Sequence, residues 1–286
     1  MSSNAPGPTA NGSIYTFTFG ETVLAVDAAK AGRIVTCALA GRNILTTPKN
    51  SEDNNWGSTF WTSPQSDWNW PPPPELDPNP YSARLDGGAL VLEGATIPAL
   101  GLAVTKRFSV DAERSVVNIT YGIVNRGQQS RSVAPWEISR VASGGLTFFP
   151  IGAGQPWKGF QDLLPLVITD GVAWFPSETK PATADQKTFV DGSEGWIAHV
   201  AGDLLLVKSF PGISAAKAAP GEAEIELYTD PGRTYVEVEN QGAYAKLEPG
   251  AAMTWPVAWF LRKLDARIPV KPGSVELLAF VRKLIA

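Results

Sequence analysis

The 286 residues contain one cysteine and one histidine. A single Cys37 forbids an internal disulfide and any zinc site built on several thiolates. A single His199 forbids a multi-histidine metal centre. No cofactor and no metal are therefore expected, with an all-oxygen calcium or magnesium site as the alternative left open. Cys37 sits among Ile34, Val35 and Leu39, which points to a buried strand thiol and away from a reactive one. An excess of positive charge is also missing. The 24 Lys and Arg are scattered against 28 Asp and Glu, for a formal net charge of −4. Without a basic stripe, neither nucleic acid nor an anionic membrane is expected as a partner. No apolar run approaches the ~20 residues of a spanning helix. The first residues lack the basic-then-apolar order of a signal peptide. A cytoplasmic location follows if Met1 is the native start, a periplasmic or secreted one if a leader was removed. Compartment and oligomeric state stay open.

What is present is apolar and extended. Hydrophobic residues make up 44% and charged residues 18%, a globular profile with ample area for a core. Strand signals dominate. In Ser115–Asn125, Val117, Ile119 and Tyr121 share one face, with Val116, Asn118 and Thr120 on the other. Similar runs recur from Ser13–Phe19 to Ala252–Leu264, punctuated by turns such as Asp170-Gly171, Asp191-Gly192 and Pro249-Gly250. Many short strands with regular turns predict one large antiparallel β-sandwich over residues 14–286, after a polar, flexible tail at 1–13. One helix is expected, over Ser274–Ile285. Ser274 is its N-cap, and Leu277, Leu278, Val281, Leu284 and Ile285 form its apolar face.

Residues 48–81 break the strand pattern and are expected to form a long aromatic and proline-rich loop. An irregular stretch of this length inside a domain is usually functional, and its tryptophans argue against disorder. Trp56, Trp61, Trp68 and Trp70 lie close to Gln65, Asp67, Asn69 and Glu75. Indole faces that stack on sugar C–H groups, together with polar groups that meet hydroxyls at the rim, make this the expected binding segment for a small molecule or oligosaccharide. The plain alternative is a structural plug, with the indoles closing one end of the sandwich.

Three further places carry ionisable candidates. In Thr234–Asn240, Tyr235, Glu237 and Glu239 share one face, with the two carboxylates roughly 7 Å apart. If that face lines a cleft, repulsion and burial would raise one pKa and give an acid–base pair; if it faces solvent, the two are ordinary surface groups. His199 is either a satisfied core residue or a general acid. Glu137 and Arg140 fall on opposite faces of one strand, so a functional reading places one of the two in a cleft.

The blocks WGSTFWTSPQSDWNWPPP at 56–73, APWEISRV at 134–141 and YVEVENQG at 235–242 resemble a bacterial family, the domain of unknown function 4380. That family looks related to the galactose-mutarotase-like supersandwich, and the likeness covers roughly residues 14–264. The resemblance implies a supersandwich and an aldose-epimerase-like site. Its base would be Glu239 or Glu237, late in the chain, and its acid His199 or Glu137. Aldose epimerases use two histidines. The Tyr121–Asn125 pattern resembles the segment that leads to one of them, but Trp136-Glu137 stands where that histidine is expected. Mutarotation needs an acid at the ring oxygen and a base at the anomeric hydroxyl. The expected function is saccharide binding on a mutarotase-like fold, with sugar isomerisation as the catalytic form. The alternatives are a non-catalytic binding module, a glycoside hydrolase or lyase, and an interaction module with a flat indole patch.

Overall fold

Period-two alternation builds the sheets. In the strand Val116–Asn125, Val117, Ile119 and Tyr121 are buried while Asn118 is exposed and Thr120 half-buried. The computed structural model describes residues 7–49, 55–154, 156–158, 163–181 and 184–286. Among them the strands form two antiparallel sheets, of twelve and ten strands, as the sequence implied. Each sheet draws strands from both halves of the chain. From Arg33–Leu39 to its far edge the larger one runs through Ser58–Ser63, Arg131–Ala142, Tyr235–Gln241, Ile225–Thr229, Gln186–Val190 and Trp157–Lys158. The smaller one is centred on Trp196–Ala201, Leu204–Ser209, Ala252–Lys263, Val116–Asn125 and Leu102–Asp111.

Two expectations change. The 48–81 segment is not all loop: Ser58–Ser63 is a strand, buried at every position, and it pairs with Arg131–Ala142. Buried on both faces, it shows no hydropathy alternation to read. Residues 50–54 of that segment lie outside the described residues. In the expected tail, Thr9–Asn11 forms an edge strand on Ile14–Phe19, while residues 1–6 lie outside the described residues.

The main core lies between the sheets. Phe60 from the larger sheet stacks on Tyr121 from the smaller, with ring centroids 4.1 Å apart and planes 5° apart. Cys37 is buried there, and burial pushes its thiol up to about 12, far from the range in which a thiolate reacts. A second core covers the other side of the smaller sheet. It joins Phe148, Trp174 and Trp196 to Leu277 and Val281 of the C-terminal helix. That helix spans Val275–Ile285, and the Ser274 hydroxyl accepts from the Leu277 N–H as its N-cap. Among the described residues no helix is long and apolar enough to cross a membrane.

Candidate functional site

Strand register decides which side chains meet on the face of the larger sheet turned away from the smaller one. Glu137 and Ser139 point between the sheets. The Glu137 carboxylate accepts from the Tyr121 hydroxyl at 2.6 Å and the Trp259 indole at 3.2 Å, and lies 3.2 Å from Lys208 Nζ. Lys208 also donates to Ser139 Oγ and to the Val238 carbonyl. Alternation then turns Trp136, Ile138 and Arg140 outward. Their directly paired neighbours share that face: Trp61 opposite Trp136, Glu239 opposite Ile138 and Glu237 opposite Arg140. One strand further, Glu226 pairs Glu239 and Tyr228 pairs Glu237, and beyond them Lys187 pairs Tyr228.

On this face lies a cavity of about 390 Å³, lined by Asn55, Trp61, Gln65, Trp70, Trp136, Asp185, Lys187, Tyr228, Tyr235 and Glu237. Its apolar wall is a tryptophan cluster. Trp61 meets Trp136 edge to face at 5.5 Å and Trp70 at 6.0 Å. Trp70 is 58% exposed, and it follows the short 3₁₀ turn Gln65–Asp67. Trp68 is half-buried and supports the cluster from behind, with its indole N–H on the Thr62 carbonyl and its ring against Trp61.

The floor is ionic. Lys187 Nζ reaches Glu239 Oε1 at 2.7 Å, Glu239 Oε2 at 2.9 Å and Glu226 Oε2 at 2.7 Å. The ammonium donates to both Glu239 oxygens and is paired in charge with Glu226. Glu239 also accepts from the Trp136 indole at 2.8 Å. Burial alone would lower the Lys187 pKa, but Glu226 and Glu239 outweigh it and hold the ammonium above its ordinary value. Burial pushes Glu226 well above the usual carboxylate range, against the pull of Lys187. Glu237 is tied to Arg140 Nε at 2.8 Å and keeps 13% of its side chain exposed. Burial raises its carboxyl, Arg140 pulls it back, and Glu239 adds to the rise. Tyr228 and Tyr235 are raised too, by burial first and then by Glu237, so both phenols stay protonated and can donate at any working pH.

Of the residues that the sequence singled out, Trp61, Gln65, Trp70 and Glu237 line the cavity. Arg140 and Glu239 lie just beneath it, on the same face. Trp56 is buried elsewhere, with the Arg33 guanidinium 4.6 Å from its ring. Asp67 is exposed on the 3₁₀ turn and does not line the cavity. Glu137 lies between the sheets. His199 does too: it is fully buried, with Nδ1 2.9 Å from Thr147 Oγ1, and burial depresses it to about 3, so it stays neutral. The structure therefore does not bring His199 or Glu137 to the carboxylates of the outer face. Sequence reasoning missed Asp185, Lys187, Glu226 and Tyr228. The readable signal was alternation within apolar strands: Lys187 shares a face with Phe189, and Glu226 with Tyr228. Among the described residues, no group of three or more His, Cys, Asp or Glu is arranged to hold a metal.

Solved structures with this architecture are galactose-mutarotase-like sandwiches. A putative aldose 1-epimerase from Escherichia coli is 12% identical with a TM-score of 0.61, over 88% of this chain and 99% of that one. A galactose mutarotase-like protein from Clostridium acetobutylicum is 11% identical with a TM-score of 0.57, over 88% and 95%. A TPR-domain containing protein from Parabacteroides distasonis is 13% identical with a TM-score of 0.65, over 92% of this chain but 49% of that one, so the chain spans about half of its length. At these identities the likeness shows the fold alone. The chain belongs to the family described as a domain of unknown function (DUF4380), whose model matches residues 65–262. No curated protein matches the sequence.

Proposed function

We propose that the outer-face cavity binds a neutral saccharide. The observation that carries this reading is the indole cluster of Trp61, Trp136 and the exposed Trp70 at a cavity whose other lining groups are two phenols, two carboxylates, two amides and the paired Lys187 ammonium. Sugars need both kinds of surface, an aromatic face for their C–H groups and convergent hydrogen-bonding groups for their hydroxyls. Tyr228 and Tyr235 supply donors, and Glu237 and Asp185 supply acceptors. The charge balance favours a neutral guest. Glu237, Glu239 and Asp185 outnumber Lys187 and Arg140, and both cations are already paired, Lys187 with Glu239 and Arg140 with Glu237. A uronic acid would meet net repulsion. The mutarotase-like fold supports the same class of ligand by analogy.

A specific observation favours catalysis as a second reading. Glu237 is a cavity carboxyl held above its ordinary pKa, the condition under which a carboxyl exchanges protons near neutral pH. It would take the proton of an anomeric hydroxyl while a cavity phenol, Tyr228 or Tyr235, protonates the ring oxygen as the bond from that oxygen to the anomeric carbon breaks. After rotation of the open-chain aldehyde the ring recloses and both protons return. Calorimetric titration with neutral monosaccharides and with glucuronic and galacturonic acids tests binding. Heat from neutral sugars alone is expected, and a preference for the uronic acids contradicts the proposal. Exchange spectroscopy of anomer interconversion tests catalysis. Acceleration that Glu237→Gln abolishes supports it, and sugar binding without acceleration leaves a binding protein.

A further inference from the structure

We infer that the natural ligand is an oligosaccharide lying across two adjoining subsites, with the second beyond Trp70. This rests on the saccharide reading above and extends it. A second cavity of about 250 Å³ opens beside the first and shares Gln65, Trp70 and Lys187 with it. Its own lining adds Asn69, Phe189 and Glu222. Trp70 thus stands between two hollows, which gives its exposed indole two sides to offer. A ligand that meets both sides of Trp70 has to enter both hollows, which a chain of sugar rings does and a single ring in one hollow does not.

The second hollow has the same make-up as the first. Phe189 and Trp70 give aromatic surface, Asn69 an amide, and Glu222 a carboxylate. The Glu222 carboxylate also fixes the turn by accepting from the Gln65 backbone N–H at 2.8 Å. The aromatic surface continues outward. Trp157, on the last strand of the sheet, is paired with Phe189 and stacks on it at 5.8 Å and 14°, and it remains 39% exposed. From the Trp61 strand to the Trp157 strand is five steps in the sheet order, about 24 Å at ~4.8 Å per step. Over that span the two hollows, with Trp70 between them and the Phe189–Trp157 pair beyond the second, offer rings interleaved with polar groups, which fits a short neutral glycan chain.

The test is a chain-length series. Glucose, galactose, mannose and xylose, and their linear oligomers of two to four units, are titrated calorimetrically against the full chain. In the series that binds, affinity is expected to rise about tenfold or more from one unit to three, equivalent to ~1.4 kcal/mol. Asn69→Gly and Phe189→Leu should each lower the ratio of trimer to monomer affinity. Asn69 has φ 57°, a conformation that glycine adopts freely, so the first variant keeps the backbone should the second fail to fold. Equal affinity for monomers and trimers, with monomers binding well, overturns the inference and leaves the saccharide reading standing. Absence of binding by every sugar removes that reading itself.

Discussion

Lys187→Met tests the ionic floor of the cavity. The wild-type ammonium holds Glu226 and Glu239, which face each other across adjacent strands and are both fully buried. Methionine preserves most of the stem and removes the charge, so two inaccessible carboxylates are left opposed. Breaking a buried pair by removing one partner costs about 3–5 kcal/mol. At roughly 2–4 °C per kcal/mol for a domain approaching this size, the midpoint of thermal unfolding should fall by about 6–20 °C. The loss should depend on pH. Lys187 is the group that pulls Glu226 down, so its removal raises that carboxyl further. The folded variant then holds a proton that the unfolded chain releases above its ordinary value near 4.5. Wild-type Glu226 is itself held well above that value, so both proteins lose stability as pH rises from it, and the loss caused by the substitution grows at the higher pH where the wild-type carboxyl ionises and the variant's does not. Near-UV circular dichroism melts at pH 5, 6.5 and 8 measure this. Glu226→Gln in the same background should recover much of the loss, since the amide oxygen can still accept from Gln241, whose Nε2 lies 2.6 Å from Glu226 Oε1. A drop below about 2 °C, equal at all three pH values, would refute the reasoning.

Other expectations follow from single contacts. Trp70→Ala should leave stability within about 0.5 kcal/mol, because the ring is largely exposed, while weakening any bound saccharide by about tenfold, as calorimetry would show. Phe60→Ala, which removes a fully buried ring stacked on Tyr121, should cost about 3–5 kcal/mol in urea unfolding. Lys106 is buried between the sheets, and burial lowers its pKa to about 7, with Arg33 adding to the fall. The unfolded chain binds the extra proton between pH 7 and the ordinary lysine value, so stability should rise with pH over that window, and Lys106→Met should remove that part of the rise. Ser274→Ala should cost about 0.5–2 kcal/mol through loss of the helix cap, measurable as earlier exchange of the amides of the first helical turn.

Strands such as Leu102–Asp111, Val116–Asn125 and Ala252–Lys263 were legible because their burial alternates, and doubly covered ones such as Leu146–Pro150 and Leu204–Ser209 because they are apolar runs between turns. Ser58–Ser63 was illegible because it is buried throughout yet built mostly of Ser and Thr, so it shows neither an alternation nor an apolar run. Face-sharing by Tyr235, Glu237 and Glu239 was readable from parity alone. Which side of the sheet that face took was not, because it depends on pairing with Arg131–Ala142, and pairing is long-range. The same parity separated Glu137 from Arg140 without saying which was interior. His199 shows the limit: its apolar neighbours favoured a core residue without excluding a catalytic one, and the packing of the smaller sheet decides for the core. Trp56 and Trp70 carry the same side chain in one short stretch, yet one lies under Arg33 and the other at the cavity mouth.

If the indoles of the outer face receive a sugar, their N–H groups report it. The chain has ten tryptophans, so a ¹⁵N–¹H spectrum reports on ten indole N–H groups. Titration with a neutral saccharide that gives heat in calorimetry should move the signals of Trp61, Trp70 and Trp136. Those of Trp174 and Trp196, packed in the second core, should stay fixed. Binding that shifts the second-core indoles and leaves the three cavity indoles in place would contradict the account.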